Sequence, residues 1–101
     1  MATFVILGNW TEQGAKAFAD APNRAKTQQA AAAAMGGRVV VTYWTMGQYD
    51  FVSIVEAPDD ATLSAALLVL GAAGNARTMT MRAFDIPEME AIVAQAKAAG
   101  G

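Results

Sequence analysis

Residues 38–56 read Arg38-Val39-Val40-Val41-Thr42-Tyr43-Trp44-Thr45-Met46-Gly47-Gln48-Tyr49-Asp50-Phe51-Val52-Ser53-Ile54-Val55-Glu56, and the fold is decided here. Two runs of β-branched and aromatic residues flank a break at Gly47-Gln48. Such side chains suit a pleated, half-buried surface, and a glycine between two such runs marks a hairpin. Strands are therefore expected over 38–46 and 49–56. Gly47 is expected at positive φ, which a residue without Cβ adopts freely.

Helical patterns lie on both sides of this hairpin. Downstream, Pro58-Asp59-Asp60 stops the second strand and opens a helix whose acidic first turn meets the positive helix end. Leu63, Leu67 and Leu70 fall on one face of it. Leu68 and Val69 widen that face beyond the needs of a surface helix, which points to a second packing partner. The segment 71–74 ends the helix, and residues 75–84 read as a strand. Upstream, residues 3–9 read as the first strand, and Thr11 caps a helix with Glu12 in its first turn. Pro22 divides that helix into 11–19 and 22–35, because proline starts a helix but breaks its interior. Gly36-Gly37 ends the second piece. Pro87 opens a last helix with Met89, Ile92, Val93 and Ala96 at helical spacing, and the closing Gly100-Gly101 pair is expected to fray.

The order β-α-β-β-α-β predicts an α+β, ferredoxin-like βαββαβ domain with an extra C-terminal helix, a single domain over residues 1–101. Alanine makes up 24 of the 101 residues, so the large apolar side chains of a few short runs must build the core. Such a sheet carries helices on one face, and period-2 alternation sorts the strand residues into two sets. One is aliphatic: Met79, Met81, Val52, Ile54, Val39 and Val41. The other mixes aromatics and hydroxyls: Thr78, Thr80, Arg82, Phe51, Ser53, Val55, Val40, Thr42 and Trp44. The aliphatic set is expected beneath the helices and the mixed set on the open face. Two mixed faces stacked in a homodimer would enclose a semi-polar cavity.

Composition narrows the chemistry. The chain has no Cys and no His, which removes disulfides, thiolate chemistry, the commonest general base and the commonest transition-metal ligand. Net charge is −2 and the seven Lys and Arg residues are scattered, so nucleic acid is not an expected partner. The apolar N-terminal run is too short for a signal peptide and no stretch reaches the ~20 residues of a membrane span. A cytoplasmic protein without membrane contact is expected. The segment 71–74 is no phosphate loop, because no Lys follows it. Asp59-Asp60 and Glu88/Glu90 read as helix-start carboxylates, so neither a metal nor another cofactor is expected.

Four pieces, taken in order, resemble a known family: Met46-Gly47-Gln48-Tyr49-Asp50, residues 54–60, Gly74-Asn75-Ala76-Arg77-Thr78, and Arg82-Ala83-Phe84. Together they are similar to the GYD-domain proteins, over about Phe4 to Glu90. The resemblance implies the dimeric α/β-barrel superfamily, and hence a homodimer. It implies no particular activity.

The candidate ligand-binding residues are Asn9, Tyr43, Trp44, Tyr49, Asp50, Thr80 and Arg82. Tyr49 and Asp50 either stabilise the hairpin turn or stand at a cavity mouth, as hydrogen-bond donor and general base. Tyr43 and Trp44 point to opposite faces, one into the core and one toward the open side. Arg82, sharing a face with Thr80, needs either a carboxylate neighbour (Asp50, Glu56 or Asp85) or an anionic ligand. Asn9, Tyr43 and Trp44 form a trio of the kind a cofactor-free monooxygenase on a related fold uses, which is analogy of fold alone. Three functions follow as expectations: a module holding a small flat or anionic molecule in the sheet–sheet cavity, a cofactor-independent oxygenase or isomerase, and a structural subunit in which an apolar helix face docks further copies.

Overall fold

In the computed structural model, which describes residues 1–100, the first strand β1 spans Ala2–Trp10 and lies inside the sheet, between the strands that follow it in space. A short helix α1 (Glu12–Lys16) and a 3₁₀ turn (Phe18–Asp20) lead into α2 (Ala21–Ala34). The hairpin is β2 (Arg38–Trp44) and β3 (Phe51–Ala57), and α3 (Asp60–Ala73), β4 (Ala76–Ala83) and α4 (Ile86–Gly100) complete the chain. The α4 helix runs through Gly100, where fraying was expected, and Gly101 lies outside the described residues.

The strands form one sheet in the order β2-β3-β1-β4, with all neighbours antiparallel. This is the ferredoxin-like arrangement. Local chemistry sets the boundaries. Thr11 caps α1 through its side chain on the Gly14 N–H, Pro22 falls in the first turn of α2, and Asp59 caps α3 on the Thr62 N–H. Asp85 and Glu88 form a reciprocal pair at the start of α4: Glu88 N–H donates to Asp85 Oδ1 at 2.9 Å, and Asp85 N–H to Glu88 Oε1 at 3.1 Å.

Register fixes the faces. Residues directly opposite on antiparallel strands share a face. Phe4 pairs with Val55, Ile6 with Ser53, and Gly8 with Phe51. Phe4, Ile6, Val55, Ala57 and Leu63 of α3 form the buried core, so this is the helix-bearing face. Thr42, Trp44, Thr80 and Arg82 lie on it too, opposite Ser53, Phe51, Ile6 and Phe4. The helix-free face carries Val5, Leu7, Val52, Ile54, Met79 and Met81 in register, with Val41 and Tyr43 from β2.

The two faces are therefore exchanged relative to the expectation from alternation. The aliphatic set is the bare one and the hydroxyl-bearing set faces the helices. One further departure has a local cause. The register shifts between Val39 and Val41, so Val40 is an extra residue and the parity of β2 changes there. Val39 packs on the helix-covered core, whereas Val41 faces the open side opposite Ile54.

The α4 helix buries none of its residues. The radius of gyration is 15.7 Å, against about 13 Å for a compact chain of this length. Among the described residues no helix is long and apolar enough to cross a membrane.

Candidate functional site

The helix-free face is the first feature that calls for a function. An antiparallel sheet with one side in water normally alternates polar residues onto that side. Here the two central rows read Met79–Leu7–Val52–Tyr43 and Met81–Val5–Ile54–Val41 across all four strands. Met79 is 54% exposed and Tyr43 63%. Charge is confined to the ends. Arg38 pairs with Glu56 at one, and Arg77 stands opposite Asn9 at the other. On α3, Leu68 and Val69 are both largely exposed.

Behind the sheet, on the helix-bearing side, a cleft of about 680 Å³ runs between α2, α3 and the strands. Trp10, Trp44 and Phe51 line one part of it. Thr42 and Ser53, hydrogen-bonded to each other at 2.9 Å, also line it.

The seven candidate residues do not converge on a single cavity. Tyr43 lies on the helix-free face, as does Asn9. Tyr49 reaches that side as well, its hydroxyl 4.0 Å from Met79 Sδ. Trp44, Thr80 and Arg82 lie on the opposite face. A semi-polar cavity between two stacked sheets, built from Trp44, Thr80 and Arg82, is therefore excluded by their position. Thr80 Oγ1 is buried with no hydrogen-bond partner. Arg82 does have a carboxylate neighbour, though none of those anticipated: its Nη2 lies 3.4 Å from Glu88 Oε2. The guanidinium also donates to the Thr3 carbonyl at 3.1 Å and sits 4.6 Å from the Phe84 ring centroid. Glu56 is engaged by Arg38 and Asp85 by the α4 cap.

Asp50 fastens the hairpin to the central strand. Its Oδ2 accepts from the Trp10 N–H at 2.8 Å, and its own N–H donates to the Gly8 carbonyl at 2.8 Å. Its carbonyl accepts from the Thr45 N–H at 2.8 Å, while Thr45 Oγ1 donates to the Tyr49 carbonyl at 2.6 Å. The bonds of Asp50 thus reach β1 as well as closing the loop. Gly47 has φ +120°, the conformation expected for it. Among the described residues no group of three or more His, Cys, Asp or Glu side chains is placed to hold a metal ion.

Sequence reasoning passed over Phe51, Thr42 and Ser53 as site residues. The signal that points to them is the contrast between bulky strands and a helix made largely of alanine.

A bare apolar sheet, helices confined to its other side and the loop pinned by Asp50 define a class: small ferredoxin-like domains with one unlayered face. This chain belongs to the GYD domain family, whose sequence pattern matches residues 4–93. It is 39% identical over 90 residues to a Thermus thermophilus protein named "Glutamine synthetase and cystathionine beta-lyase binding protein". That match covers 88% of this chain and 95% of the relative. The crystal structure of TTHA0845, also from Thermus thermophilus, is similar in fold, with a TM-score of 0.52 at 26% identity. It covers 84% of this chain and 95% of that one.

Proposed function

We propose that this chain is a protein-binding module that works as a homodimer. Two copies close their helix-free faces on each other, and the outer surface of the pair engages an enzyme of the kind named for the Thermus relative, glutamine synthetase or cystathionine beta-lyase. The observation that carries the reading is the continuous apolar surface of Val5, Leu7, Val52, Ile54, Met79 and Met81, on a sheet with no second layer. Domains cover such faces with another layer, and large exposed apolar patches mark interaction sites. A second copy is the occupant that suits it. The face is apolar at its centre, and a net charge of −2 opposes self-association only weakly. Two-fold pairing of one patch with itself is the commonest oligomeric solution.

Leu68 supports the second half of the reading, because it leaves an exposed apolar group on the outside of α3 after the sheet faces have closed, with Val69 beside it at the rim of the cleft. The test is binding of the purified chain to immobilised glutamine synthetase and cystathionine beta-lyase. Saturable binding to at least one, lost in a Leu68→Glu variant that still melts normally, is the expected result. No binding to either enzyme by an intact dimer would refute the enzyme-binding reading. A monomer that binds the enzyme through Ile54 and Met79 would show instead that the enzyme occupies the bare face.

A further inference from the structure

The side of the sheet beneath the helices is incompletely filled, and the cause is compositional. Seven of the fourteen residues of α2 are alanine. Ala21, Ala25, Ala31 and Ala32 contribute to the cleft wall, and a methyl group does not reach across to the strands. No large side chain among the described residues is completely withdrawn from solvent. Protein interiors are ordinarily close-packed, with few voids larger than a water molecule. At about 680 Å³ the cleft is instead the size of a pocket for a small organic molecule.

Its lining is ordered. Trp10, Phe51 and Trp44, from the adjacent strands β1, β3 and β2, gather at one end. Val39, Val55, Leu63 and Leu67 line the other. The Thr42–Ser53 pair lies between them along β2 and β3. The two hydroxyls carry two protons and their mutual bond uses one, so one O–H remains to donate. Ser53 is buried and Thr42 half-buried, and either hydroxyl can be the donor in their mutual bond.

We infer that this cleft is a binding site for a flat aromatic molecule of mainly apolar surface with one hydrogen-bond acceptor. Its ring packs at the end walled by Trp10, Phe51 and Trp44, where aromatic rings favour offset or edge-to-face contact. Its acceptor takes the free O–H of the Thr42–Ser53 pair. Each copy of the chain carries a complete site. The site is separated from the helix-free face by the thickness of the sheet, and its lining does not include Leu68, so it stands independently of the protein-binding reading.

Both tryptophans of the chain line the cleft, so their emission reports its occupancy. The probe is 1-anilinonaphthalene-8-sulfonate, titrated against protein that melts cooperatively. Saturable quenching at one probe per chain is expected. Ala32→Leu and Ala66→Leu fill the cleft, and each should weaken the probe by roughly tenfold or more without lowering Tm. Met79→Lys, on the other face, should leave probe affinity unchanged. The inference is overturned if no saturable site is seen, or if Met79→Lys removes the site and the filling variants do not. It is equally overturned if both filling variants melt well below the parent, since that result means the helix wall is already packed against the sheet.

Discussion

Asp50 Oδ2 accepts a 2.8 Å hydrogen bond from the Trp10 N–H, across 40 residues of chain. The bond ties the end of the hairpin loop to the end of the central strand. Replacing Asp50 with Ala leaves the Trp10 N–H without its acceptor and should cost about 1.5–3 kcal/mol, the range for hydrogen bonds to a charged group. Asp50→Asn keeps an acceptor oxygen and should cost less. Urea denaturation of the two variants measures the difference, and equal stability of Asp50→Ala and the parent would show that the bond is not made in solution.

The Phe51 ring lies directly over Gly8, where a Cβ would overlap it. Gly8→Ala must push the ring off the floor of the cleft, and should lower stability by about 1–3 kcal/mol, as overpacking does. The double change Gly8→Ala/Phe51→Leu should recover part of that loss. A thermal melt in which the double variant is no better than Gly8→Ala alone would argue that the ring is not the obstacle.

The Asp59 carboxyl is held below the usual aspartate range, chiefly by the hydrogen bond from the Thr62 backbone N–H and secondarily by the Thr62 side chain. A lowered folded-state value means the unfolded chain binds the proton first as pH falls. The cap therefore contributes stability above about pH 4, the ordinary aspartate value, and loses it as pH drops through the lowered one. Asp59→Ala should be less stable than the parent at neutral pH, and its Tm should fall less steeply below about pH 4. Parallel Tm–pH curves for the two proteins would contradict this.

Ile54 stands at the centre of the helix-free face, opposite Val5 and Val41. Ile54→Lys places a charge where the proposed dimer would desolvate it. Native mass spectrometry should then report monomers at concentrations where the parent is dimeric, with the monomer still folded by circular dichroism. A parent that is monomeric at high concentration would remove the dimer from consideration.

Much of the architecture was legible from residues alone. Pro22 marked the break between α1 and α2, Asp59 the start of α3, and Gly47 the positive-φ turn, because each acts through its own backbone or its nearest neighbours. The candidate site was legible only in part. Asn9, Tyr43 and Tyr49 were grouped with Trp44, Thr80 and Arg82, yet the sheet stands between the two groups. The carboxylate beside Arg82 is Glu88, brought near by the turn into α4 and not identifiable from charge spacing.

Sequence by itself determined the number and order of the strands and α-helices, though not the 3₁₀ turn at Phe18–Asp20, through propensity, caps and breakers that act over a few residues. Only the tertiary structure decided which side of each strand meets the helices. Alternation with period two is unchanged when both faces are exchanged, so it names two sets without assigning either. The assignment comes from how the helical crossovers return over the sheet, and in β2 from the extra residue at Val40, which reverses parity within a single strand.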